Sequence, residues 1–154
     1  MSIILAEYAP SPVDPLRVIK MLLVHDLVEI YAGDTFCYDV ESHQDRAARE
    51  TEAANCLFGL LPEAQRVELT ALWEEFEARQ TAATQFATAL DRLQPLLHKQ
   101  QTSGGTWRIH GITRDRVLQR VSPIAEGAPA LWPFVESIIE DCVQAGYLKV
   151  NSEK

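Results

Sequence analysis

The chain has no long uncharged segment and no recognisable export signal. None of its runs without charged residues approaches the roughly 18 residues that a membrane-spanning helix needs. Its start, Met1 to Ala6, lacks the basic region and the cleavage pattern of a secretory leader. The cysteines, Cys37, Cys56 and Cys142, are odd in number and lack the spacing of a metal finger. We therefore expect a cytoplasmic protein with reduced thiols and no membrane partner.

Basic residues are scarce relative to acidic ones. The 14 lysines and arginines face 22 aspartates and glutamates, which gives a formal net charge of -8. This balance disfavours a nucleic acid polymer as a partner, because phosphates would be repelled over most of the surface. A small phosphorylated substrate can still bind where a metal ion neutralises it locally. The remaining composition, with 47% hydrophobic and 23% charged residues, is typical of a globular protein, and residues 1–154 fit one domain.

Alternating strand patterns, internal repeats and low-complexity linkers are all absent from the sequence, whereas helical periodicity is present throughout. The clearest helix begins after Asp14, a capping residue that precedes Pro15, and ends near Ala32 before Gly33. Other start and stop signals predict further helices. These span about 43–61, a segment after Pro62, a segment from Thr81 or Thr84 to the break at 103–105, a short helix after Thr113, and about 129–146. We predict a single all-α domain, a bundle of about six helices.

The start of the chain is apolar and has no capping residues. Residues 1–8 resemble the last two turns of a helix that began earlier, and Pro10 and Pro12 then end it. The alternative is an ordinary short N-terminal helix that is docked on the core. Where the preceding portion is absent, the apolar segment leaves a hydrophobic face of the kind that is typical of a contact between chains, and we expect a homodimer.

The helix predicted after Asp14 carries His25, Asp26 and Glu29 among apolar residues. Because it is hydrophobic nearly all round, we expect it to be buried. At about 100° per residue, position 29 projects between positions 25 and 26, so the three side chains share one sector. Buried carboxylates are costly unless they are paired or hold a metal ion. The cluster therefore predicts a divalent cation.

Asp91 is also a carboxylate in an apolar helical segment, later in the chain, and it too needs a partner if it is buried. Two interpretations are open. Asp91 is either half of an internal ion pair or a further ligand of the cation near His25. Arg92 is a candidate partner by composition, although adjacent residues on a helix diverge by about 100°.

Several other polar and aromatic residues have less specific interpretations. Arg46 and Arg49 share a side and either approach a phosphate or form a solvated face, and we favour the solvated face. The Trp107–Arg108 pair either covers a nucleobase or pins its loop to the bundle, and we favour the second. We expect structural or solvated roles for the remaining histidines and core positions for two tryptophans: His43, His98, His110, Trp73 and Trp132.

Taken together, these motifs resemble those of the HD-domain metal-dependent phosphohydrolases, and in particular their 5'-deoxynucleotidase branch. The likeness covers roughly residues 15–125. It rests on His25-Asp26 with Glu29, Gly33-Asp34, the Arg- and Glu-rich segment 46–52, ALDRLQPLL at 89–97, GGTW at 104–107 and His110-Gly111.

The resemblance implies an HD-domain helical bundle in which His25, Asp26 and Asp91 are metal ligands. Glu29 and Asp34 would be the acid/base pair that handles the attacking water and the leaving oxygen, or ligands of a second cation. One imidazole and several carboxylates suit Mn, Co, Mg, Fe, Ni or Zn. The implied reaction is hydrolysis of a small phosphate monoester, a deoxynucleoside 5'-monophosphate above all, by attack of metal-bound water. No nucleophilic serine or cysteine motif is present that would favour a covalent intermediate.

The chain departs from the family pattern at its start. The family motif begins with another histidine in the preceding helix, and an arginine near it acts on the substrate, but no histidine precedes His25 here. The two explanations are a domain that is missing the start of its first helix and a natural variant with a weakened metal site. The alternative function is therefore a non-catalytic or weakened HD-fold module for binding or assembly.

Overall fold

The computed structural model describes residues 1–33, 38 and 45–150, and within these the chain is all-α, as predicted. Two 3₁₀ helices, Ala6–Tyr8 and Pro129–Leu131, accompany the α-helices, and an isolated bridge joins Thr113 to Lys149. Among these helices none is long and apolar enough to cross a bilayer. The α-helices span Pro15–Ala32 (α1), Arg46–Phe58 (α2), Glu63–Ala78 (α3), Ala82–Gln101 (α4), Thr106–His110 (α5), Arg114–Val121 (α6), Pro123–Gly127 (α7) and Trp132–Gln144 (α8).

The helix starts and stops follow the capping residues seen in the sequence. The Asp14 side chain accepts a hydrogen bond from the backbone N–H of Leu16 at 2.9 Å, and Gly33 ends α1 with a φ of 86°. Thr81 caps α4 in a reciprocal capping box with Thr84. The described α-helices outnumber the predicted six or so because two short ones, α5 and α7, form in segments for which no helix was predicted.

The expectation that α1 is buried all round is wrong. One face of α1 packs against α2, α3 and α4, and within the described part of the chain the opposite face stays exposed. The buried residues are Val18, Met21, Val24, His25 and Val28, whereas Leu16, Leu23, Leu27, Ile30 and Tyr31 are exposed. The helix is apolar in composition, but its neighbours lie on one side, so several of its apolar residues remain exposed on the other side.

Two hydrophobic clusters meet along α1. The larger one is centred on α4, includes Phe86 and Leu90, and takes in Val18 and Met21 from α1. The smaller one joins Val24 and Val28 to buried residues of α2, namely Ala53, Ala54 and Phe58. Trp132 packs partly buried against the first cluster and Trp73 against the second. His25 lies on α1 directly after Val24, where the two clusters adjoin.

Several details of the helix faces differ from the prediction. The short 3₁₀ helix Ala6–Tyr8 docks on the larger cluster through Leu5 and Tyr8. The described part of α2 begins at Arg46 and ends at Phe58, within the predicted segment. Ala47 of α2 and Val67 of α3 are apolar but exposed, because each helix turns a different face inwards.

Candidate metal centre

Helix α1 brings His25, Asp26 and Glu29 together as the periodicity predicted. One ligand atom from each side chain lies within 4.8 Å of the other two. A single cation contacts nitrogen and oxygen ligands at about 2.0–2.6 Å, so ligand atoms with this spacing can share it. The burial differs among the three, since His25 is buried, Glu29 is partly covered and Asp26 is exposed. The carboxylates therefore lie at the edge of the interior rather than within it.

The His25 ring is held between two helices. It stacks on Phe76 of α3, with ring centroids 4.3 Å apart and an interplanar angle of 28°. Its Nε2 lies 3.4 Å from Oε1 of Glu29, and its Nδ1 lies 3.4 Å from Oε1 of Glu77. Burial by itself lowers the pKa of the imidazole, but the facing oxygen of Glu77 and the charges of Glu29 and Asp91 outweigh it, so the pKa of His25 is raised.

Glu77 is a residue of the site that the sequence analysis missed. Burial alone would raise the pKa of its carboxyl, yet the neighbouring His25, Arg79 and Arg46 bring that pKa below its usual value. A signal was present in the sequence, because Glu77 follows the core residue Phe76 and lies one turn after the partly buried Trp73.

Asp91 lines the same cavity as Asp26 and Glu29, a cleft of about 500 Å³. Burial raises the pKa of the Asp26 carboxyl, and the negative charge of Asp91 adds to that rise while His25 opposes it. Asp91 is therefore within electrostatic reach of the α1 cluster, although it is not one of the three residues whose ligand atoms lie within 4.8 Å.

The ion pair considered for Asp91 also forms. The Arg92 Nη1 donates to Oδ2 of Asp91 at 2.6 Å. Adjacent residues on a helix point in different directions, but the arginine side chain is long enough to reach the neighbouring carboxylate. Burial lowers the pKa of this guanidinium to about 10, although Asp91 opposes that effect. Asp91 therefore pairs with Arg92 and still lines the cavity, so the ion pair does not exclude a role for Asp91 as a metal ligand.

Arg46 and Arg49 do not form the solvated face that we favoured. The Arg46 Nη2 donates to Oε1 of Glu29 at 2.6 Å, and its Nε donates to Oε1 of the buried Glu50 at 2.6 Å. Arg49 donates to the carbonyl oxygens of Ala32 and Gly33, at 3.0 and 3.4 Å. Both arginines therefore fasten α2 to the last turn of α1, the segment that leads to Asp34. Burial raises the pKa of Glu29, against the opposing charges of His25 and Arg46.

The loop after α1 is described only at Tyr38. Asp34, the second predicted acid/base residue, lies outside the described residues, as do Cys37 and His43. Arg116 donates a hydrogen bond to the Tyr38 carbonyl oxygen and lies over the Tyr38 ring at 5.2 Å from its centroid. Tyr38 is part of the cavity wall, and so is the buried Trp107.

The cavity wall is rich in charge of both signs. Of the described residues that line it, four are acidic and four are basic, so their formal charges cancel. The acidic residues are Asp26, Glu29, Glu50 and Asp91, and the basic ones are Arg46, Arg92, Lys99 and Arg120. Half of the basic set is already paired, Arg46 with the two glutamates and Arg92 with Asp91. Lys99 and Arg120 make no ion pair with any part of the chain that the structure describes.

Comparisons with known proteins identify the family of this chain. A model of the HD domain family matches residues 1–132. The human 5'-deoxynucleotidase HDDC2 is 37% identical over 81 residues, which are 53% of this chain and 40% of that protein. The Danio rerio protein of the same name is 35% identical over 81 residues. The chain thus spans 40% of the length of these curated relatives.

A solved structure extends the similarity over nearly the whole chain. It is the crystal structure of a predicted metal-dependent phosphohydrolase from Magnetospirillum magnetotacticum MS-1, which is 50% identical to this chain and superposes with a TM-score of 0.90. The alignment covers 97% of this chain and 74% of that one. Given the match over residues 1–132 and this structural agreement, the chain belongs to the HD-domain family.

Proposed function

We propose that this HD-domain protein is a metal-dependent phosphohydrolase that acts on small phosphate monoesters, with deoxynucleoside 5'-monophosphates as its substrate class. The observation that carries the proposal is the cavity in which the cluster of His25, Asp26 and Glu29 borders Asp91 and a set of basic side chains. The 5'-deoxynucleotidase activity named for the HDDC2 relatives supports the choice of substrate.

The charge of the cavity supports a phosphorylated ligand. The formal charges of the described wall residues sum to zero, so a bound divalent cation would leave the cavity with two positive charges. A phosphate monoester carries about two negative charges near neutral pH. Lys99 and Arg120 form no ion pair among the described residues, so together with the cation they would neutralise a phosphate in a protein whose net charge of -8 otherwise repels it.

His25, Asp26 and Asp91 are the proposed ligands of the cation. The spacing of the α1 side chains fits the ion, and Asp91 approaches from α4 through the shared cavity. When bound, a divalent cation polarises a phosphoryl group and lowers the pKa of bound water. The ion pair between Asp91 and Arg92 orients the Asp91 carboxylate from the side.

Glu29 and Asp34 are the proposed acid/base residues. Glu29 lies beside the ligand set, and burial raises its pKa towards the range in which a carboxylate exchanges protons. Its Oε1 is fixed by Arg46, so the carboxylate is held in one orientation. Glu29 would take the proton of the attacking water, and Asp34 would protonate the leaving oxygen.

A Glu29→Gln variant separates this role from metal ligation. We expect phosphate release from deoxynucleoside 5'-monophosphates with Mn²⁺ or Co²⁺ to fall about 10²–10⁴-fold in kcat, because the amide cannot take a proton. We expect the Mn²⁺ affinity, measured by calorimetry, to stay unchanged. Glu52→Gln is the matched control, since Glu52 is an exposed residue of α2.

The outcomes of that assay are distinct. A wild-type protein that releases no phosphate from any deoxynucleoside 5'-monophosphate, although it binds Mn²⁺, would contradict the proposed function. A Glu29→Gln variant that no longer binds Mn²⁺ would instead reassign Glu29 to the ligand set.

The alternative of a non-catalytic module is not favoured, because the acidic cluster borders a cavity whose charge suits a phosphate. The homodimer and the cytoplasmic location stay predictions. The molar mass in solution, measured by light scattering, tests the first, and cell fractionation tests the second.

A further inference from the structure

We propose that Glu77 is a positioning residue, which fixes the neutral His25 ring with its proton on Nδ1 and so directs the Nε2 lone pair towards Asp26 and Glu29. The inference rests on the metal site of the proposed function. It concerns a residue on a different helix, α3, that the sequence analysis did not identify.

The first observation is an unsatisfied acceptor. Oε1 of Glu77 is buried and has no hydrogen-bond partner among the described residues, yet it faces Nδ1 of His25 at 3.4 Å. A buried acceptor without a donor loses its hydrogen bonds to water without replacement, so native structures seldom leave one. A shift of a few tenths of an ångström brings Nδ1–H within the ordinary range of an N–H···O hydrogen bond.

The second observation is that the ring has little freedom. The side chain of His25 is only 4% exposed and its ring stacks on Phe76, the residue before Glu77. The two ring nitrogens face carboxylates on different helices, with Glu29 of α1 on one side and Glu77 of α3 on the other. The packing of α1 on α3 therefore determines which nitrogen points at the ligand set.

The two carboxylates are not equivalent acceptors. Oε1 of Glu29 already accepts a hydrogen bond from Arg46 at 2.6 Å, whereas Oε1 of Glu77 has none. An ionised carboxylate can only accept, so the nitrogen that faces the free acceptor keeps the proton. That nitrogen is Nδ1, which leaves the Nε2 lone pair on the side of Asp26 and Glu29. Carboxylate partners of this kind fix the tautomer of metal-binding histidines in many proteins.

Glu77 is not itself a ligand in this arrangement. The group of ligand atoms within 4.8 Å of one another consists of His25, Asp26 and Glu29, and among the described residues Glu77 is not part of it. Because Glu77 touches the opposite ring nitrogen, its effect on the cation passes through His25.

Glu77→Gln tests the proposal with little change in shape. A glutamine can either accept or donate, so it no longer imposes the proton on Nδ1. We expect long-range ¹H–¹⁵N spectra of the metal-free wild type, at alkaline pH where the ring is neutral, to show the Nδ1–H form. In Glu77→Gln we expect a mixture of tautomers and a Mn²⁺ affinity that is about 10–100-fold weaker by calorimetry. Glu74→Gln, at an exposed position of α3, is the matched control and leaves both unchanged.

The results separate this inference from the proposed function. A wild type with its proton on Nε2, or a Glu77→Gln variant that binds Mn²⁺ as tightly as the wild type, overturns the inference alone. A wild type that binds no Mn²⁺ overturns the metal site and the inference with it. The tautomer measurement needs only the wild type, so it decides the matter even if Glu77→Gln fails to fold.

Discussion

Replacing Asp91 by alanine is expected to abolish Mn²⁺- or Co²⁺-dependent phosphate release from deoxynucleoside 5'-monophosphates. Asp91 is the proposed ligand that α4 contributes to the cavity shared with Asp26 and Glu29. Its loss removes a ligand and a negative charge from the site of the cation, and the expected decrease exceeds the roughly 10–100-fold effect typical of residues that only orient ligands. Phosphate release and Mn²⁺ affinity are the two measurements.

The ion pair with Arg92 provides the control for this experiment. Asp91→Ala also leaves the guanidinium of Arg92, whose side chain is 9% exposed, without its partner, so some loss of stability is expected. Arg92→Met breaks the same pair but keeps the carboxylate. We expect Arg92→Met to retain Mn²⁺ binding and Asp91→Ala to lose it. Unchanged phosphate release in Asp91→Ala would rule out the proposed ligand set. Loss of Mn²⁺ binding in both variants would show that Mn²⁺ binding depends on the ion pair and not on Asp91 as a ligand.

Gly127→Ala is expected to destabilise the fold, although alanine favours helices by about 0.5–1 kcal/mol over glycine. A Cβ atom at position 127 would lie 2.0 Å from the carbonyl oxygen of Gln85 and 2.9 Å from Cβ of Ala89. The nearest obstacle is backbone, which cannot move aside as a flexible side chain does. Helix α7 must therefore shift away from α4, the helix that carries Asp91.

The expected cost of Gly127→Ala is at least about 1–3 kcal/mol in the free energy of unfolding, the usual range for overpacking a core. Chemical denaturation followed by circular dichroism measures it. Glu126→Ala is the matched control, because Glu126 is the exposed neighbour on the same short helix. A Gly127→Ala protein as stable as the wild type would show that α7 does not pack against α4 as closely as described.

The features that the sequence predicts well are those set by neighbours along the chain. The bounds of α1 follow from Asp14, Pro15 and Gly33, which act within one helical turn. The grouping of His25 with Glu29 follows from the period of a single helix, without reference to any other element. Local residue types determine both, so they can be predicted before the fold is known.

The features that the sequence predicts poorly depend on contacts between helices. The composition of α1 suggests burial on all sides, but only the positions of α2, α3 and α4 decide which face is covered. Glu77 is an acidic residue of α3, and its contact with His25 of α1 results from the packing of these two helices. Spacing along the chain does not encode this pairing, so Glu77 was overlooked, whereas the pair of Arg46 with Glu50 on α2 has the spacing of one helical turn.

The most direct test of the account is an anomalous difference map from crystals of this protein grown with Mn²⁺. The account predicts a peak within coordination distance of Nε2 of His25 and of the carboxylates of Asp26 and Asp91. A map with no peak at these side chains, or with a peak bound elsewhere, would contradict it.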